Sequence, residues 1–345
     1  MNKKFFTRKI LYIFLVLSIL GVFNYLVDAQ QQIRYNKNYV LGEQRIINNG
    51  IARNYNYDTV VIGSSTSENS LKKDIDDIFN TNSVNLSLSG STALEHRNLL
   101  NIITKRNNVK RVIYGLDFFN YNRLGTRVEI IDYGKSKNQI LKYLLNVSTL
   151  KINLKVLINE ILKKNKKNWI YTWSFWSNRA NFSEKNTLDF DKNTESGAQN
   201  LGIIREAKQG YNIEIMKNNF DALLEIIKKT PHIEYRVYFT PYSILYWCIL
   251  DKYDSLNAVI EFKKYVYYKS KRYPNIFLYD FQDRHVIIEN LDNYKDAVHF
   301  KGEINKEIIK EIYKENSNNK NLDFELDIRK LIEKNRMLYK RLPNI

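Results

Sequence analysis

Three residues of this chain have the chemistry of a nucleophile and its activating base: Ser65, Asp296 and His299. Ser65 follows Asp58-Thr59-Val60-Val61-Ile62-Gly63-Ser64, an apolar run closed by a glycine and a pair of serines. Consecutive β-branched residues without polar alternation suit a strand buried on both faces of a parallel sheet. Gly63 permits a sharp turn, and chain leaving the end of such a strand arrives at the rim where open α/β sheets hold ligands. A serine at that place has an exposed hydroxyl and a backbone N–H free to face an anion. The plainer alternative is a polar loop and a helix cap, a common use of Ser and Thr. A nucleophilic serine needs a base within hydrogen-bond reach, and the base needs a third group to fix its tautomer. Asp296 and His299, three residues apart beyond the apolar run Ile276-Phe277-Leu278-Tyr279, offer both from one loop.

These loops require a sheet to bring them to one rim. Hydrophobic runs predict strands over 58–64, 83–88, 109–114, 235–239 and 276–279. Apolar residues at helical spacing predict helices over 71–79, around Leu94 to Ile103, and over 213–229, 254–268, 304–313 and 326–339, the last basic and amphipathic. Strand and helix alternating at this spacing make an α/β fold with a mainly parallel central sheet. Residues 120 to about 210 break the alternation and read as an insertion. Ser148 or Thr149 caps a helix bearing Ile152, Val156, Leu157 and Ile161, closed by the basic run Lys163-Lys164-Asn165-Lys166-Lys167. Trp169, Tyr171, Trp173, Phe175 and Trp176 follow, either a platform for sugar rings or the packing of a lid. The Asn-rich stretch 178–200 reads as a mobile loop. His96 reads as a surface or supporting residue, and His232 and His285 have no carboxylate motif beside them.

At the N-terminus, Lys3, Lys4, Arg8 and Lys9 precede a run from Ile10 to Val27 with no charge. Eighteen residues at 1.5 Å each span about 27 Å, close to the hydrocarbon thickness of a bilayer. The basic flank predicts a cytoplasmic N-terminus and an extracytoplasmic body after Asp28. Val27-Asp28-Ala29 is a poor small-x-small cleavage site, which favours an uncleaved anchor over a signal peptide. With 345 residues, 44% of them hydrophobic, the chain is long enough for one large domain or two small ones. Its formal charge of +17 raises nucleic acid as a partner. The lysines are nonetheless scattered through Asn-rich segments, and a protein working beside anionic lipids and wall polymers accounts for the same excess. No nucleic-acid partner is expected. The single Cys248, within Tyr246-Trp247-Cys248-Ile249-Leu250, reads as core, and no Cys, His and acid cluster has metal-ligand spacing, so no cofactor or metal is expected.

Gly63-Ser64-Ser65, Gly90 after the second strand, Gly115-Leu116-Asp117 after the third and Asp296-x-x-His299 resemble, in order, the four blocks of the SGNH/GDSL hydrolase superfamily. The chain is most similar to its membrane-anchored, cell-envelope branch, which includes the DltD proteins of teichoic-acid D-alanylation and the alginate O-acetyltransferases. The resemblance covers residues 57 to 310. It implies a three-layer α/β/α sandwich, with Ser65 as nucleophile, His299 as general base and Asp296 as partner of the imidazole. It implies an oxyanion hole from the N–H groups of Ser65 and Gly90, with Asp117 at the position where the family usually carries a donating asparagine. Ser64 likewise stands where the name-giving hydrolases have aspartate. Together these readings predict a basic flank and anchor (1–28), a connector (29–56), the α/β domain with its insertion (57–316) and a C-terminal amphipathic helix (317–345). The implied activity is a serine esterase or O-acyltransferase on acyl esters of a cell-envelope glycan or teichoic-type polymer. An alternative is a catalytically weak accessory subunit partnering a multi-pass membrane O-acyltransferase.

Overall fold

The computed structural model describes residues 3–35, 43–126, 136–161, 173–314 and 324–343. The chain forms two compact units, one of Met1–Asn56 with Val128–Thr172 and the other of Tyr57–Arg127 with Trp173–Ile345. From the N-terminus come α1 (Lys3–Val27), α2 (Gln44–Asn54), β1 (Thr59–Ile62), α3 (Lys72–Phe79), β2 (Ser83–Asn85), α4 (Ala93–Ile103), β3 (Arg111–Leu116) and α5 (Phe118–Asn122). The middle holds α6 (Lys137–Leu144), α7 (Val147–Ile161), α8 (Glu184–Thr187), α9 (Glu195–Gln209), α10 (Ile213–Lys228) and β4 (Glu234–Phe239). Then follow α11 (Ile244–Lys252), α12 (Leu256–Ser270), β5 (Ile276–Asp280), α13 (His285–Ile288), α14 (Gly302–Lys314) and α15 (Phe324–Lys334).

The second unit is an α/β fold built on five parallel strands in the order β2-β1-β3-β4-β5. β1 lies inside this sheet with all four residues buried, as its unbroken β-branched run requires. β2 is shorter than its apolar run, yet the N–H groups of Leu86 and Leu88 still donate to the Val61 and Gly63 carbonyls, both at 2.9 Å. The backbone beyond β2 thus stays registered against the end of β1. Gly63 and Gly115, at the adjacent ends of β1 and β3, leave room for one side chain: a Cβ on either would collide with the Ser67 Oγ. Ser67 fills that space and shares a 2.9 Å hydrogen bond with the Tyr238 hydroxyl. On the helices, α3 packs with α14, and α4, α5 and α12 pack with α10.

One stretch differs from its sequence reading, and another is placed in a helix that the reading did not assign. The expected mobile loop 178–200 contains α8 and the start of α9. It is ordered by hydrogen bonds: Ser183 and Thr194 cap their helices, and the fully buried Asn200 amide donates to the Thr187 and Asp189 carbonyls at 2.9 and 2.8 Å. The core reading of Tyr246 to Leu250 holds, and the helix it belongs to is α11, whose residues Ile244 to Leu250 are all buried. A helix apolar on every side shows no periodicity, because it has no polar face. Cys248 lies inside it, and burial pushes its thiol pKa up to about 12.

In the first unit, α1 is the one helix among the described residues long and apolar enough to cross a membrane. Its end is tied down by polar side chains. Asn24 donates to the Leu144 and Asn146 carbonyls at 2.8 and 3.3 Å and accepts from Asn153 at 2.9 Å. The Asp28 carboxylate accepts from the N–H groups of Gln32, Ile33 and Arg34 and from the Tyr143 hydroxyl. Val27, Ala29 and Val156 form a small core with Phe23 and Ile152. The Lys163 to Lys167 run, Trp169 and Tyr171 lie outside the described residues, as do residues 36–42 of the connector.

Candidate active site

The loop after β1 presents one residue to solvent. From Thr59 to Ser70 every residue is buried except Ser65, which is half-buried. Its Oγ lies 2.7 Å from His299 Nε2. On the far side of the ring, His299 Nδ1 is 2.8 and 2.9 Å from the two Asp296 oxygens. A carboxylate accepts, so Nδ1 carries the proton and Nε2 is left to accept from the Ser65 hydroxyl. Asp296 is fully buried. Burial raises its pKa, but the attraction of and hydrogen bond to His299, with help from Lys295 and the Val298 N–H, outweigh it and hold the carboxyl below the usual aspartate value. The third group of the line is thus an anion at neutral pH.

The loop carrying Asp296 and His299 is closed and anchored. Tyr294 bridges Phe300 across it, and the Lys295 N–H donates to the His299 carbonyl at 3.0 Å. Asp296 Oδ1 accepts from the N–H groups of Val298 and His299 at 3.0 and 2.9 Å, which fixes the carboxylate to its own turn. Asn200 accepts from the Ala297 N–H at 2.9 Å, the Ser243 hydroxyl donates to the Ala297 carbonyl at 2.7 Å, and the Tyr294 hydroxyl donates to the Pro241 carbonyl at 2.8 Å. The segment read as a mobile loop therefore supplies one of the struts of this turn. On the other side Asn305, from α14, donates to the Thr66 carbonyl at 3.2 Å.

Asp117 sits elsewhere than its expected role demands. It is fully buried, and its carboxylate accepts from four hydroxyls: Thr240 and Tyr242 at 2.6 Å on one oxygen, Ser64 at 2.5 Å and Thr66 at 2.9 Å on the other. Burial, then the Asp117 charge, pushes the Tyr242 pKa well above its ordinary value, so that hydroxyl keeps the proton it donates. Asp117 is an acceptor hub behind the serine loop and offers no hydrogen to an oxyanion. Gly90 is at the tip of the turn after β2 with φ of 57°, a left-handed conformation that glycine takes without strain. That turn is tethered to the serine loop by His96, which is buried and not a surface residue: its Nε2 is 3.1 Å from the Gly63 carbonyl and 2.7 Å from the Ser91 hydroxyl, and its Nδ1 is 2.7 Å from the Tyr114 hydroxyl. Only the Nε2–H tautomer satisfies the Gly63 carbonyl.

Of the aromatic cluster, Trp176 reaches this centre. Its indole N–H donates to the Ser65 carbonyl at 3.1 Å, and its ring meets the His299 ring edge to face at 5.3 Å between centroids. The Lys295 ammonium lies 4.9 Å over the Trp176 ring and pairs with Glu195 at 2.6 Å. The density of rings after residue 168 was the only sign of Trp176 in the sequence, and nothing there distinguished it from its neighbours. Surface grooves of about 260 Å³ beside Asn290 and Met337 and of about 420 Å³ between α4 and α10 contain none of these residues. Among the described residues no group of His, Cys, Asp and Glu is arranged to hold a metal ion.

No protein-family model matches the sequence, and no curated protein matches it. What the site does therefore rests on its own geometry.

Proposed function

We propose that this protein is a membrane-anchored serine esterase or O-acyltransferase of the SGNH type, acting outside the cytoplasm on acyl esters of a cell-envelope glycan or teichoic-type polymer. The observation that carries the proposal is the unbroken line from the Ser65 hydroxyl through His299 to the buried, ionised Asp296. In the proposed reaction Ser65 Oγ attacks the ester carbonyl carbon as His299 Nε2 takes its proton, and Asp296 stabilises the imidazolium. Collapse of the tetrahedral adduct breaks the bond to the alcohol, which leaves with the proton from His299. Water or a sugar hydroxyl then attacks the acyl-serine with His299 again as base. The oxyanion is received by backbone N–H groups of the Ser65 and Gly90 loops, since Asp117 donates nothing. The strand order and the two helix groups support a three-layer arrangement of the catalytic unit, and the basic flank of α1 supports an outward-facing body.

The missing side-chain donor at Asp117 favours one competing reading, a slow accessory subunit that holds acyl cargo for a multi-pass O-acyltransferase. A fluorophosphonate probe separates the two. The wild type is expected to be tagged, and Ser65→Ala and His299→Ala are expected to lose tagging while keeping their far-UV spectrum. An untagged but folded wild type would leave the accessory reading standing and remove the esterase.

A further inference from the structure

Helices α6 and α7 carry apolar side chains that their own unit leaves open: Leu141, Val147, Leu154 and Ile158 are 55%, 57%, 40% and 52% exposed. Val147, Leu154 and Ile158 are spaced to share one side of α7, opposite the buried Thr149, Asn153 and Val156. Lysines flank them. The segment 136–158 contains Lys137, Lys142, Lys151 and Lys155 and no acidic residue. A soluble helix surface has no reason to combine bare leucine, valine and isoleucine with an all-cationic fringe.

The depth of this surface along α1 explains the combination. The Leu144 and Asn146 carbonyls at the α6–α7 elbow accept from Asn24, and Gly21 faces Leu145 with a van der Waals gap. At 1.5 Å per residue, Gly21 and Asn24 lie about 9 and 4.5 Å before the end of α1 at Val27. If α1 crosses the bilayer, the elbow is held where hydrocarbon gives way to headgroups on the side from which the chain emerges. We propose that the α6–α7 hairpin lies in that interface, with Leu141, Val147, Leu154 and Ile158 in the acyl boundary and Lys142, Lys151 and Lys155 reaching anionic lipid headgroups. Long lysine stems permit this snorkelling, and an apolar stripe with cationic edges is the composition that binds acidic bilayers. The buried Asn24, Asn153 and Asp28 side chains are then the rivets that fix the hairpin at one depth.

The inference rests on α1 as a membrane span, and the test reads the two separately. Single nitroxides are placed at residues 16, 141, 154, 158 and 337 of the full chain carrying Cys248→Ser, in bilayer discs of phosphatidylcholine with phosphatidylglycerol. Collision with oxygen, which concentrates in lipid, is compared with collision with a water-soluble nickel chelate. Position 16 should favour oxygen most, positions 141, 154 and 158 should favour it severalfold over the exposed position 337, and Lys151→Glu with Lys155→Glu should shift position 154 toward nickel. Nickel-accessible hairpin positions with a lipid-buried position 16 overturn the proposal and leave the anchor intact. Hairpin positions shielded from both reagents overturn it in favour of a protein neighbour. A nickel-accessible position 16 removes the anchor and the proposal together.

Discussion

At the scale of single residues, the chemistry depends on how few groups are free to move. Ser65 is the one half-exposed residue in a stretch of twelve, and the hydroxyls on either side of it, Ser64 and Thr66, are both spent on Asp117. The same carboxylate holds Thr240 and Tyr242 from the loop after β4. Each hydrogen bond to a buried charge contributes about 1.5–3 kcal/mol. Asp117→Ala, which strands four buried hydroxyls at once, is therefore expected to lose at least about 3 kcal/mol of unfolding free energy in urea. Asp117→Asn keeps an acceptor oxygen, and the hydroxyls can turn to accept from its amide, so a smaller loss is expected. Equal midpoints for Asp117→Ala and the wild type would show that the hub is not what orders the serine loop.

At the scale of elements, the site is where two strand ends and three loops meet. Gly63 follows β1 and Gly115 lies in β3 beside it, and both stay bare so that Ser67 can lie over the sheet. Gly115→Ala drives a methyl group into the Ser67 hydroxyl and is expected to displace the serine loop and cut probe labelling by an order of magnitude or more. Removing that hydroxyl with Ser67→Ala should restore part of the labelling to Gly115→Ala, a non-additivity that contacting residues produce. Plain addition of the two losses would mean the clash is relieved elsewhere. The strands were legible because Val60-Val61-Ile62 has no polar interruption and Tyr235 to Phe239 only Arg236, and a D-x-x-H loop after the fifth strand marked the base. What was hidden lacked a one-dimensional signal. α11 is apolar on every side, α9 opens in an Asn-rich stretch whose buried member Asn200 finds its partners only in the folded turn, and the role of Asp117 comes from hydroxyls of separate segments converging on it. Trp176 belongs with these, since its contacts with Ser65 and His299 span more than a hundred positions.

At the scale of the whole molecule, the hydrogen bond between Ser65 and His299 joins positions 234 residues apart, at opposite ends of the α/β unit. Parallel sheets of this kind close their long loops before any contact rewards them, so they fold slowly and from local pieces outward. β1 and β2 bracket Ser65 early in the chain, but the His299 imidazole arrives only after β5 has joined the sheet. A ribosome would have released nearly the entire polypeptide before the serine acquires its base. In the reaction proposed above, the hydroxyl until then is an ordinary alcohol, unable to attack an ester. Refolding followed by probe labelling should accordingly lag the recovery of the far-UV signal, and labelling that keeps pace with helix formation would count against late assembly. For the proposed hydrolase the sequence separation of the two partners is a built-in safety catch: reactivity is withheld from the nascent chain and conferred only on the finished one.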